Sequence, residues 1–200
     1  MSKLPSELPS EVVRISWLLG MWEGVGQGQY PNSNNFSFIQ QMEFTNDGQN
    51  YINYESKSWE LKEDGTSGDA LHFEKGFWRP GEATSIEVVI SHVTGISEIW
   101  TGINEVLSIE EAKITSARAR LATKWVGRTP SAKPVDAGDR LYGLMNGELM
   151  WTYDMAAVGQ EMQNHLWARL KPLNENEILE TKKTMQPVRK HKIPEIPGVK

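Results

Sequence analysis

Gly20-Met21-Trp22-Glu23-Gly24-Val25-Gly26-Gln27-Gly28-Gln29-Tyr30 is the stretch that decides the fold. Alternate residues of an extended chain share a face. Trp22, Gly24, Gly26, Gly28 and Tyr30 therefore lie on one side, and Glu23, Val25, Gln27 and Gln29 on the other. Three successive glycines on one face cost backbone entropy and add no packing. They make sense where that face stays clear for a bulky group or a second backbone, or where a strand bends sharply at a barrel corner; the two explanations are compatible. No helical pattern follows, so the row is not a nucleotide-binding glycine loop.

Just before this stretch, Ser10–Gly20 reads as a short helix. Ser10 suits the N-cap, Glu11 the first turn and Gly20 the C-terminal end, with Val13, Trp17 and Leu18 on one face. After it come short runs of strand type: Trp22–Tyr30, Phe36–Thr45, Gln49–Trp59, Ala70–Trp78, Ser85–Val93, Ile96–Ile103, Val106–Thr115, Ala119–Arg128, Asp139–Asn146, Glu148–Met155 and Met162–Leu170. One of these is expected to be a bend or to merge with a neighbour, which leaves about ten strands at a spacing that suits a barrel or sandwich. Asn146-Gly147 is a strong hairpin signal, Asn46-Asp47-Gly48 and Glu63-Asp64-Gly65 are weaker ones, and Pro80-Gly81 ends a strand. Joints this short make the neighbours antiparallel. The expectation is an all-β, up-and-down antiparallel barrel of roughly ten strands over residues 10–172. A flexible lead-in (1–9) precedes it, and a basic, mobile extension without a regular pattern (173–200) follows.

Composition narrows the chemistry. With no cysteine among 200 residues, disulfides, thiolate metal sites and cysteine nucleophiles are excluded. The net charge of −5 conceals an asymmetry: residues 181–200 hold six Lys/Arg and one acid, so the rest carries −10. An acidic body argues against nucleic acid as the main ligand. No apolar run is long enough to span a bilayer, and the N-terminus lacks the apolar core of a signal peptide, so a cytoplasmic protein without membrane association is expected. Neither a Gly-x-Ser-x-Gly elbow nor a P-loop occurs.

Several blocks resemble one family. Gly20-x-Trp22 after a short helix is similar to the opening of the lipocalin and fatty-acid-binding superfamily, where a tryptophan closes the barrel floor. Gly20-x-Trp22-x-Gly24-x-Gly26 with Tyr30-Pro31, then Leu71-His72-Phe73-Glu74-x-Gly76-Phe77-Trp78-Arg79, Ser91-His92-x-Thr94-Gly95-Ile96, Arg128-Thr129-Pro130-Ser131-Ala132-Lys133, and Asp154–Gln160 with Gln163-Asn164-His165-Leu166 resemble, in order, the nitrobindins. These are heme-binding β-barrels also described as peroxynitrite isomerases. The resemblance runs from about Ser10 to Pro172. It implies one ferric heme b per chain, with peroxynitrite and nitric oxide as small-molecule ligands, isomerisation of peroxynitrite to nitrate without an external electron donor, and a homodimer.

The resemblance also assigns residues. Of four histidines, His165 matches the axial ligand of the heme iron and thus the catalytic position, and histidine is a standard support for heme iron. His72 falls in the same cavity, at its rim or on the far side of the heme, or serves as a hydrogen-bonded structural residue; it shares a strand face with Glu74. Lys133 matches a lysine associated with heme binding, suited to a propionate. Gly24 and Gly26 line the wall beside the heme. His92 reads as structural and His191 as solvated. One feature conflicts with simple patterning. Leu166, Ala168 and Leu170 belong inside by the inside-apolar rule, which turns His165 outward. Either a bulge near Asn164 re-aims the histidine, or its face lines a wet mouth. Two other readings stay open: a nitric oxide carrier or sensor without catalysis, and a fatty-acid-type carrier using Arg140 or Arg169 to hold a carboxylate.

Overall fold

A computed structural model describes residues 8–31 and 33–192. Ten strands close into one antiparallel barrel in simple up-and-down order: β1 (Gly20–Tyr30), β2 (Ser33–Thr45), β3 (Ile52–Leu61), β4 (Ser67–Pro80), β5 (Ser85–His92), β6 (Ile96–Glu110), β7 (Lys113–Arg128), β8 (Val135–Met145), β9 (Glu148–Ala157) and β10 (Gln163–Pro172), with β10 pairing back onto β1. Closure leaves no sheet edge to protect. Ile96–Ile103 and Val106–Thr115 are the candidates that merge. The strand continues to Glu110 and the chain turns at Glu111 and Ala112, both with positive φ, so the second candidate straddles a turn.

Alternation sorts the side chains. Trp22, Phe38, Met42, Phe44, Tyr54, Trp78, Val88, Trp100, Leu121, Tyr142 and Trp151 fill the interior. One end of the barrel is a floor. There α1 (Ser10–Val13) is followed by a 3₁₀ turn, Ser16–Leu18, rather than one continuous helix. The tighter period of three aligns Val12, Ile15 and Leu18, all fully buried, and leaves Val13 50% exposed, so Val13 is not part of the packed face. Trp22 Nε1 donates to the Leu18 carbonyl at 2.8 Å, and Trp17 Nε1 to Asn104 Oδ1 at 2.9 Å. The opposite end holds the start of β10, the β7–β8 connection and the turns at 62–66, 93–95 and 158–162.

The glycine row is explained by close approach, not by an empty face. A Cβ on Gly24 would stand 2.1 Å from the Arg169 carbonyl oxygen of β10. On Gly26 it would meet the Phe38 ring at 2.3 Å, and on Gly28 the Phe36 ring at 2.2 Å. Gly24 and Gly26 therefore admit neighbouring backbone and aromatic rings, which is the close approach of a second backbone that the sequence allowed for. A strand Gly→Ala change ordinarily gains about 0.5–1 kcal/mol. Gly24→Ala is expected to do the reverse and cost about 1–3 kcal/mol, because the backbone it strikes cannot move aside; paired denaturant melts check the sign.

Beyond Pro172 the structure departs from the expectation of a segment without regular pattern. Residues Glu175–Thr184 form α2, with a complete capping box between Asn174 and Glu177 and acidic and basic residues at the favourable ends. The segment lies on the outer face of β1–β3, where Gln41 Nε2 donates to Thr181 Oγ1 at 3.4 Å and Lys182 pairs with Glu43 at 2.9 Å. This cover buries outward-facing Met21, Glu23, Ile39 and Gln41. Glu23, 1% exposed, accepts from Gln41 Nε2 (2.7 Å) and from the backbone N–H groups of Val188 (3.1 Å) and Arg189 (3.0 Å), and pairs with His191 Nε2 at 3.1 Å. His191 is therefore docked on the barrel, not solvated. Residues 193–200, the end of the expected mobile extension, and residues 1–7 of the lead-in lie outside the described residues.

Burial pushes the Glu23 carboxyl up, but its hydrogen bonds from His191, Gln41, Val188 and Arg189 outweigh that and hold it below its ordinary 4.5. A depressed carboxyl contributes stability that is present above its unfolded value, about 4.3, and is lost as pH falls through the folded value. Glu23→Gln is accordingly expected to melt lower than wild type at pH 7, by about 1.5–3 kcal/mol for charge-assisted bonds. The gap should close in acid. A gap that persists unchanged below pH 3 would assign the loss to packing instead.

Candidate functional site

At the end opposite the floor, the β9–β10 pairing slips. Asn164 pairs with Asp154 and Leu166 with Tyr153, so His165 is the extra residue of a β-bulge. The bulge resolves the patterning conflict. Leu166, Ala168 and Leu170 keep the inward register against Gly28, Gly26 and Gly24. His165, freed from the alternation, lies half-buried with its ring edge-on to Tyr30 (5.2 Å between centroids) and tilted against Tyr153 (6.0 Å). Its Nδ1 lies 2.9 Å from the Gln29 carbonyl oxygen. A carbonyl can only accept, so Nδ1 carries the hydrogen and Nε2 the lone pair.

Burial lowers the His165 pKa, and the charges of His72 and Arg140 add to that against the opposing pull of the Gln29 carbonyl. The neutral imidazole is thus favoured, which is the form that ligates iron. These features fit a heme: a fixed tautomer, an aromatic surround, and a carbonyl behind the ring of the kind that orients ligating histidines. Lys133 is exposed in the β7–β8 connection at this same end.

Deeper in the barrel is a polar network. His72 and Glu74 share the inward face of β4, and His92 stands directly opposite Glu74 on β5. His72 Nε2 lies 2.9 Å from His92 Nδ1 and 3.8 Å from Glu74 Oε2; His92 Nδ1 lies 3.2 Å from the same oxygen. His92 Nε2 meets Glu98 Oε2 at 2.9 Å. Arg140 grips Glu74 with two hydrogen bonds, Nη1 to Oε1 at 2.9 Å and Nη2 to Oε2 at 3.0 Å, while the Tyr54 hydroxyl donates to Oε1. Burial raises the Glu74 pKa, but Arg140, His72 and His92 overcome it and hold the carboxyl well below the usual range.

The sequence brought out His72 and its face partner Glu74. It missed the roles of His92, Glu98 and Arg140. Arg140 is 66 positions from Glu74, and only the barrel register brings them together. Neither arginine considered for a fatty-acid carboxylate is available for one: Arg140 is committed to Glu74, and Arg169 is on the outer surface, paired with Glu148.

Among the described residues no helix is long and apolar enough to cross a membrane. Residues 11–171 match the family model described as the THAP4-like, heme-binding beta-barrel domain. A ferric nitrobindin-like protein of Cutibacterium acnes is 37% identical over 84% of this chain and 97% of its own length. A peroxynitrite isomerase of Nocardioides is likewise 37% identical, over 84% and 96%. The crystal structure of Rv2717c from M. tuberculosis superposes with a TM-score of 0.77 at 31% identity, covering 84% of this chain and all of that one. With this sequence match over most of its length and the same closed barrel, the chain belongs to the THAP4-like family of heme-binding β-barrels.

Proposed function

We propose that this protein holds one ferric heme b through His165 and isomerises peroxynitrite to nitrate. The observation that carries the proposal is the His165 bulge, which fixes Nδ1 on the Gln29 carbonyl and leaves Nε2 as the nitrogen with the lone pair. The bound heme supplies a Lewis-acidic ferric centre able to polarise the weak O–O bond of peroxynitrite. The chain's own residues do the rest. Gln29 keeps His165 in its ligating tautomer, and Tyr30 and Tyr153 restrict the tilt of its ring. Tyr30 is itself fixed, its hydroxyl accepting from the Ala157 N–H and donating to the Ala157 carbonyl, both at 2.9 Å. Lys133 provides a cation at the rim for a propionate, and His72, one-third exposed on the inner face of β4, provides a polar group below it. The naming of relatives as peroxynitrite isomerases supports the reaction.

Stopped-flow mixing of the heme-loaded protein with peroxynitrite tests it. Decay should accelerate in proportion to protein concentration over many turnovers, with nitrate as the product. Reversible nitric oxide binding without acceleration would leave a carrier or sensor and reject the isomerase.

A further inference from the structure

The contacts among His72, Glu74 and His92 lie apart from the His165 bulge. We propose that His72 Nε2, His92 Nδ1 and Glu74 Oε2 form a site for one divalent transition-metal ion, with Zn²⁺ the best fit, distinct from the His165 position.

Geometry is the first ground. The three donor atoms are separated by 2.9, 3.2 and 3.8 Å. Three ligands of a tetrahedral Zn²⁺, each at about 2.0–2.1 Å, stand roughly 3.3–3.4 Å apart. The observed triangle brackets that spacing, so side-chain adjustments of a few tenths of an ångström complete it. Two imidazoles and one carboxylate are also a donor set that borderline divalent ions favour. The donors come from adjacent, directly paired strands, so the triangle is fixed by the sheet and not by a loop.

The surroundings are the second ground. Glu98 Oε2 accepts from His92 Nε2, which leaves Nδ1 with its lone pair facing the triangle. A carboxylate behind a ligating histidine is the usual outer support of a zinc site. Arg140 and Tyr54 hold the Glu74 carboxylate in turn. Charge points the same way. Glu74 and Glu98 are both buried, and Arg140 is the buried guanidinium between them, 3.9 Å from Glu98. Arg140 opposes a nearby cation, but the two carboxyl groups outnumber it, and buried charge of one sign requires a counter-charge. The fourth position faces the barrel mouth: the His72 side chain is 34% exposed, whereas those of His92 and Glu74 are nearly covered. Metal binding displaces the hydrogen shared by His72 Nε2 and His92 Nδ1 to the other nitrogen of His72, with no net change in charge on the protein.

Co²⁺ titration of the untagged, heme-free full chain tests the site. One equivalent should bring up the intense visible bands of tetrahedral Co²⁺, and Zn²⁺ should abolish them by competition. His72→Ala and His92→Ala should lose the bands. Because the His92 side chain is nearly covered, circular dichroism is recorded for both, and the more exposed His72 carries the result if His92→Ala does not fold. Glu98→Gln should weaken binding by about 10–100-fold, as outer-support substitutions do. His165→Ala should keep the bands, so a failure of heme ligation and a failure of this site appear in different variants. Absence of the bands in wild type, their survival in folded His72→Ala, or their loss in His165→Ala would each overturn the proposal.

Discussion

Arg140→Ala is expected to lose about 3–5 kcal/mol of stability, the cost of stranding one partner of a buried ion pair. Glu74 is almost fully buried, and both its oxygens are held by the Arg140 guanidinium. Removing the cation leaves a carboxylate that must either remain charged in the interior or take up a proton it is poised to lose. The guanidinium also lies over three rings, 4.7 Å from the centroid of Tyr153, 5.1 Å from Trp100 and 5.8 Å from Trp151. Its loss therefore opens a cavity among aromatics as well. Since a typical domain has only about 5–15 kcal/mol in total, the variant should unfold at much lower denaturant. A double-mutant cycle isolates the pair: Arg140→Met combined with Glu74→Gln should cost less than the sum of the single changes. Additive costs would show that the contacts with the rings, and not the ion pair, carry the stability.

How much of this was legible in the sequence depends on range. Turn chemistry at Asn146-Gly147 and Pro80-Gly81 marked strand ends; alternation in β1 put Trp22 on the glycine face, and the resemblance to the lipocalin superfamily implied that it closes the floor. The β6 merger was less visible, because Asn104-Glu105 looks like a turn but is carried by unbroken pairing to β7. The glycine row announced a close approach without saying by what; Phe36, Phe38 and the β10 backbone are known only once the barrel closes. A bulge at Asn164 was one of two ways to reconcile His165 with its leucines, and the pairing selects it. The Glu74–Arg140–Glu98–His92 network joins β4, β5, β6 and β8 and has no local signature. The capping box of α2 did have one, Asn174-x-x-Glu177, which was obscured by the prolines and lysines that follow it.

His165→Ala should have the largest effect on function. The side chain is half-buried at the mouth, so its removal forfeits chiefly the ring contacts with Tyr30 and Tyr153, worth about 0.5–1.5 kcal/mol each, and the barrel should remain folded. Heme affinity should fall much further. Outer-support residues alone are worth about 10–100-fold at metal sites, and loss of the ligand itself exceeds that. Gln29 offers no alternative test by side-chain replacement, because its backbone carbonyl makes the contact.

The most direct measurement is the absorption spectrum of hemin titrated into wild type and His165→Ala, each repeated with added imidazole. Wild type should develop the sharp Soret band of histidine-ligated ferric heme and respond little to imidazole. His165→Ala, with its far-ultraviolet circular dichroism unchanged, should lack that band and recover it when imidazole enters the space the side chain vacates. If the two proteins give the same spectrum and affinity without imidazole, His165 is not the iron ligand.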